Sequence, residues 1–412
     1  PVALLKDLVR INTTNPPGEE EKLLLYLERI LQEHGIPYVY QKSAKGRGNL
    51  LAWQLADQAE EAPLILMSHT DVVAAQASQW KFPPFEAQEV DGYIYGRGTV
   101  DTKQLTAMEL TAFLALKEKE IPLKRDVYFL ATSDEESGSA YGLQWFLDHE
   151  ITVGETTKTG RELFRGSDVI SEGGGFPVVG GKREFYLCES GQKSCGTVEF
   201  TSGDGMERAM GLAEDIGKQK LDGRVLDTVK QFEQKLAGVQ LSPMMQKILT
   251  AMKQNSMTVT MITGKNVNEV TLVCDVRLLP GFGQKYLEEV LKNLAEKWDC
   301  SYRIVSLSQG YESSPDGEML KILEEATLEI LGKTKEEAEI LPFVSMGSSD
   351  GRFLADLDTK VYGYSPVYAW DMTFDSAVTM VHGINERIHR DSVVFGSKVL
   401  TLAVCRAAQS GI

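Results

Sequence analysis

Apolar residues follow two rhythms along this chain. Unbroken apolar runs occur at 64–67 (LILM) and within 125–132 (VYFLAT), the pattern of strands buried on both faces of a parallel sheet. Apolar residues spaced three and four apart predict helices over 105–119, 318–331 and 394–408, and two more in residues 1–35 around the loop INTTNPPGEE. Further strands are expected at 38–41, 49–54 and 360–364, with one of three or four residues ahead of a glycine cluster in 166–181 and an edge strand over 184–189. Strands alternating with helices imply an α/β fold with a mainly parallel sheet covered on both faces.

From about residue 192 to 310 the pattern changes. A strand at 196–201 leads to two or three helices in 206–254. The strands SMTVTMIT and EVTLVCDVRLL follow, then a helix at 284–298 and a strand at 301–307. At 412 residues the chain exceeds one simple core. The expected organisation is a first segment over 1–192, an inserted α+β domain over 193–310, and a second segment over 311–412.

The polar residues that interrupt these patterns carry the chemistry. The run at 64–67 ends in Ser68, His69, Thr70 and Asp71, which delivers an imidazole and a carboxylate to the carboxyl end of a strand, where open α/β sheets place their sites. Asp71 is placed to accept from the far ring nitrogen of His69 and fix its tautomer. About thirty residues on, Gly96-Arg97-Gly98 brings Asp101 to the start of a helix. The next apolar strand ends in Asp134, Glu135 and Glu136, which repel one another unless cations sit there. His382 follows an apolar turn near the end.

Two divalent ions sharing a bridging carboxylate need about five ligands of mixed imidazole and carboxylate character. His69, Asp101, Glu136 and His382 supply four, and Glu135 is left over as a general base. Zinc suits that donor set, with cobalt or manganese as substitutes. Two ions are expected, with a single ion as the alternative.

Composition narrows the partners. Lys and Arg number 43 against 59 Asp and Glu, a formal net charge of -16, which disfavours nucleic acid and anionic membrane. No apolar run approaches the ~20 residues that span a bilayer, and the opening PVALLKDLVR reads as a helix and not as a signal peptide. Five cysteines without a CxxC argue for reduced thiols in a cytoplasmic protein.

The motifs SHTDVV, GRGTVDTK, SDEESGS, SEGGG, GSSDGR and HGINER, in this order over nearly the whole chain, resemble those of metallopeptidase family 20. That family holds aminoacylase, acetylornithine deacetylase, succinyl-diaminopimelate desuccinylase and carboxypeptidases. The resemblance implies a zinc-hydrolase α/β catalytic domain with an inserted α+β lid that often dimerises, so a homodimer through the lid is implied. It implies amide hydrolysis in an N-acyl amino acid or short peptide with a free carboxylate. By position, His69 binds one metal, Asp101 bridges, Glu136 and His382 bind the second, Asp71 orients His69, and Glu135 is the base. Arg352 and Asn266 fall where the family holds the substrate carboxylate.

Two departures qualify what the resemblance implies. Its pattern has an aspartate before Glu-Gly-Gly as the remaining ligand of the first metal, where this chain has Ser171. Asp168 or Glu172 is the candidate replacement. The lid also lacks the histidine of the resembled pattern. These departures keep a second expectation open, a homologue that binds a peptide or acyl-amino acid without hydrolysing it.

Overall fold

The structure is a computed structural model and describes residues 1–203, 205–266 and 269–409, with the side chains of 265 and 266 outside the description. Its main sheet has ten strands. Across it run Tyr38–Ala44, Arg47–Gln54, Val127–Thr132, Leu64–His69, Asp168–Ser171, Lys360–Gly363, Arg183–Gln192 and Pro177–Gly180, with Ala338–Ser345 and Tyr311–Glu312 joined to Arg183–Gln192. Leu64–His69 is parallel to both of its neighbours, and Lys360–Gly363 is parallel to Asp168–Ser171.

Successive residues of the central strands feed two different cores. Leu64, Leu66, Val127, Phe129 and Ile170 pack with helices Val2–Arg10, Glu21–Glu33, Lys103–Glu118, Glu318–Leu331 and Arg390–Ala408. Ile65, Met67, Tyr128, Leu130 and Val169 pack on the other side with Leu143, Phe146 and Phe164. Alternation of faces along a strand therefore buries every residue of the apolar runs, which is why those runs show no polar positions.

Two sequence expectations change. Arg183–Gln192 is not an edge strand, because it pairs with four other strands. The strand Ala338–Ser345, absent from the sequence reading, runs parallel to it. Pro342 disguises this strand, since proline cannot donate to a ladder. The position is tolerated because, among the described residues, Ala338–Ser345 pairs with only one other strand.

A second sheet of four antiparallel strands has the order Ser256–Asn266, Glu269–Leu278, Ser194–Ser202, Ser301–Leu307. Strict alternation of buried and half-buried residues along Ser194–Ser202 and Glu269–Leu278 gives it one covered face, against helices Met206–Lys218 and Gln284–Trp298. The other two helices of the 193–310 block behave differently. Asp227–Lys235 and Pro243–Ala251 contribute Val229, Phe232 and Met245 to a core with Phe185, Leu187, Leu341 and Phe343 of the main sheet. Among the described residues no helix is long and apolar enough to cross a membrane.

Candidate metal centre

Register brings the strand ends together. His69 pairs level with Thr132, so Asp71 and the turn at 133–136 emerge side by side at the carboxyl edge. Ser171 pairs level with Gly363 one strand further on, and Glu172 leaves the sheet there. Nε2 of His69 lies 3.2 Å from Oδ1 of Asp101 and 3.4 Å from Oε2 of Glu172. Nε2 of His382 lies 3.1 Å from Oδ2 of Asp101 and 3.1 Å from Oε2 of Glu136. Two triads result, His69–Asp101–Glu172 and Asp101–Glu136–His382, each with ligand atoms within 4.8 Å of one another. Asp101 belongs to both and turns one oxygen to each.

Asp168 does not stand in the first triad. It pairs level with Leu64, at the opposite end of the strand from His69, about 16 Å away at the usual rise per residue. Its carboxylate accepts from Arg125 at 2.8 Å. Glu172 occupies the place instead, having left the strand, so the face alternation that argues against an odd offset no longer applies.

The donor chemistry fits divalent cations. Four carboxylates, from Asp101, Glu135, Glu136 and Glu172, converge with two imidazoles, and Oε1 of Glu136 is buried with no hydrogen-bond partner. Burial and the neighbouring charge of Glu172 push the Glu135 carboxyl well above the usual range. Hydrogen bonds that its ring donates to Asp101 and Glu136 raise the His382 imidazole to about 10. Burial opposes protonation of His69, but the charges and hydrogen bonds of Glu172, Asp101 and Asp71 outweigh it and hold the imidazole well above its ordinary value. The carboxylates thus draw in positive charge from whatever source is at hand, which is the electrostatic demand a metal pair meets.

Asp71 meets more than the His69 ring. Nδ1 of His69 lies 3.0 Å from the Asp71 backbone carbonyl, and 3.5 Å from the Asp71 carboxylate. The carboxylate itself accepts from the backbone N–H groups of Glu135 and Glu136, each at 3.1 Å, and from Asn15 at 2.8 Å. It fixes the turn that presents both glutamates. Asn15 is held in turn by Arg47, which also pairs with Asp134, whose backbone is left-handed at φ 68°.

Sequence reasoning passed over Glu386 and Arg97. The fully buried Glu386 accepts from the backbone N–H groups of Gly98, Val100 and Asp101, at 2.6 to 3.1 Å, and pairs with Arg97 at 2.7 Å. Arg97 also donates to the carbonyl of His382 at 3.3 Å. One ion pair thereby ties together the loops that carry Asp101 and His382. The signal was present as an acid three residues past a glycine in HGINER, facing the run of N–H groups that Gly98 opens at φ 91°. Glu386→Gln should lower stability by about 3 kcal/mol, since it leaves Arg97 buried without a counter-charge. Urea unfolding of the metal-free protein measures this, and a loss under 1 kcal/mol would show the pair to be dispensable.

Arg352 lies at the rim of the same centre. Its guanidinium sits 3.3 Å from Oε1 of Glu135 and donates to Ser348 and to the Ser349 carbonyl. Asn266 ends a strand of the second sheet, but its side chain lies outside the described residues. The glycine cluster after Glu172 serves a close approach. At Gly173, φ 116°, a Cβ would collide with the carboxylate of Glu189, which accepts from the Tyr311 hydroxyl at 2.8 Å.

The family model for peptidase family M20/M25/M40 matches residues 65–406. The chain belongs to this family. It is thereby a hydrolase of the metallopeptidase class. The M20 chain is 23% identical over 415 residues to aminoacylase-1 of Sus scrofa, covering 97% of this chain and 93% of that one. It is 34% identical over 149 residues to a probable succinyl-diaminopimelate desuccinylase of Staphylococcus epidermidis, a match spanning 36% of this chain and 35% of that protein. Among solved structures, the M20 family metallo-carboxypeptidase Sso-CP2 from Sulfolobus solfataricus superimposes with a TM-score of 0.72 at 20% identity, covering 98% of both chains. That likeness extends over the mixed α/β fold with its mainly parallel sheet.

Proposed function

We propose that this M20 protein is a metal-dependent amidohydrolase acting on N-acyl amino acids or short peptides that carry a free carboxylate. The observation that carries the reading is Asp101 turning one oxygen to each of two His–carboxylate triads while Glu135, next to Glu136, belongs to neither. His69, Asp101, Glu172, Glu136 and His382 would hold two divalent ions, and the mixed imidazole and carboxylate set suits zinc. Bound there, the pair would polarise the scissile carbonyl and acidify a water.

The remaining roles belong to the chain itself. Glu135, fixed through its backbone by Asp71, takes the proton of the attacking water and passes it to the departing amine. Arg352 faces the same cavity and is suited to the substrate carboxylate, which would draw the guanidinium off Glu135 as it binds. The rival reading, a binding protein without turnover, rests on Ser171 and on the lid without a histidine, and the placement of Glu172 beside His69 weighs against the first of these.

The test is turnover of a panel of N-acyl amino acids and dipeptides by protein loaded with zinc, cobalt or manganese. Metal-dependent release of free amine is expected. Absence of turnover across the panel with two metals bound would overturn the reading.

A further inference from the structure

The cavity beside the two triads is large, about 790 Å³, and its walls differ in chemistry from one part to another. Among the described residues, its charged lining consists of Glu189, Arg352 and the carboxylates and imidazole of the metal centre with Glu135. The rest of the lining is neutral, and much of it is apolar. Phe343 and Phe374 meet edge to face with centroids 6.0 Å apart, and Phe176 joins them from the main-sheet side. Met244 and Ile248 complete the wall from helix Pro243–Ala251, which arises in the 193–310 block yet packs on the main sheet.

That helix is built for the task. Met244, Met245, Ile248 and Leu249 lie on one side at helical spacing and are buried or half-buried, while Gln246, Lys247 and Thr250 are exposed. Met245 goes into the core, and Met244 and Ile248 face the cavity.

At roughly 30 Å³ per water, the cavity holds on the order of 25 waters, far more than a small acyl amino acid displaces. Apolar walls of this extent gain free energy only when an apolar group covers them. A substrate with a second charge away from the metal centre would bury that charge among neutral side chains, without a partner. Met244 and Met346 are unbranched and adaptable, which suits a flexible chain better than one rigid shape.

We infer that the M20 site takes amides bearing a large, flexible apolar group and rejects those with a second charged end, and that Met244 and Ile248 set this selectivity. The inference rests on the hydrolase reading for its kinetic readout only. The apolar group belongs to the acyl side or to the amino-acid side chain, and the experiment separates the two.

The metal-loaded protein is assayed with N-acylglycines from acetyl to dodecanoyl, with N-acetyl amino acids from alanine to 2-aminooctanoate, and with N-succinylglycine. In one of the two series kcat/KM should rise up to about fourfold per methylene, the equivalent of ~0.8 kcal/mol of burial. N-succinylglycine should fall at least 30-fold below N-butyrylglycine. Ile248→Ser and Met244→Ser should flatten the slope, and Ile248→Leu should keep it. Calorimetric titration with two pairs, N-dodecanoylglycine against N-acetylglycine and N-acetyl-2-aminooctanoate against N-acetylalanine, adds a readout independent of turnover, with clearly tighter binding of the longer ligand and a negative heat-capacity change expected in at least one pair, and at least 100-fold if it is the acylglycine pair.

A rise along the acylglycines puts the apolar group on the acyl side, and a rise along the acetyl series puts it on the side chain. Both outcomes support the inference. Cleavage that is best for acetyl or succinyl substrates, with no dependence on chain length, overturns it and leaves the hydrolase reading standing. If nothing is cleaved the hydrolase reading fails, and calorimetry decides. Equal binding within both pairs then overturns the apolar subsite, and preference for the longer ligand in either pair upholds it.

Discussion

Glu135→Gln should lower kcat by about three orders of magnitude with metal content and stability little changed. The reason lies in the division of labour between adjacent glutamates. Glu136 turns Oε2 to His382 at 3.1 Å, whereas Glu135 has Arg352 as its charged neighbour and no place in either triad. Glutamine keeps the size and backbone contacts of Glu135, including the N–H bond to Asp71, but cannot accept and return a proton. General acid–base groups contribute about 10²- to 10⁴-fold, which sets the scale. The measurement is kcat on the best substrate of the panel, with elemental analysis of the same sample. Turnover within tenfold of the parent, at full metal content, would remove Glu135 from the proton path.

Asp101→Ala should take away both metals together. Each of its oxygens serves a different triad, so its removal leaves two donors on each side, His69 with Glu172 and His382 with Glu136. Dialysed protein should fall from two metal equivalents per chain to fewer than one, and turnover should drop to background. His69→Ala, which touches one triad only, should cost one equivalent. Thermal unfolding supplies an independent reading. Metal at a hundred times its dissociation constant stabilises the folded state by about 2.7 kcal/mol per site. The parent melting temperature should therefore rise on adding zinc, and that of Asp101→Ala should not. Retention of two equivalents by the alanine variant would mean that Asp101 is no bridge.

Much of this centre was legible because its residues sit at the ends of apolar runs. A strand is visible from its own composition, and the polar residue that ends it is then marked as facing the sheet edge. His69, Asp101, Glu135, Glu136 and His382 were all found in that way or by their glycine-rich context. Glu172 was harder, since its role depends on the neighbouring strand and not on its own. Face alternation says that residues 171 and 172 point oppositely on a continuous strand, but the strand ends at Ser171 and frees the next residue. Asp168 could be set aside only once the register placed it level with Leu64.

The short helices Leu143–Leu147, Gly160–Phe164 and Phe374–Met380 left no clear rhythm, whereas local pattern along the chain accounts for the longer helices, most strands, the polar stops, and the acidic surplus that calls for cations. These depend on interactions within a few residues, where periodicity and turn chemistry act. Tertiary structure alone decided which strand lies beside which, and hence that Glu172 faces His69. It also decided that the Arg97–Glu386 pair joins the two ligand loops, and that helices Asp227–Lys235 and Pro243–Ala251 pack on the main sheet, where the second of them walls the cavity. Apolar faces record that they will be buried but not against what, because the hydrophobic effect is non-directional and the partner is chosen by the packing of the whole chain.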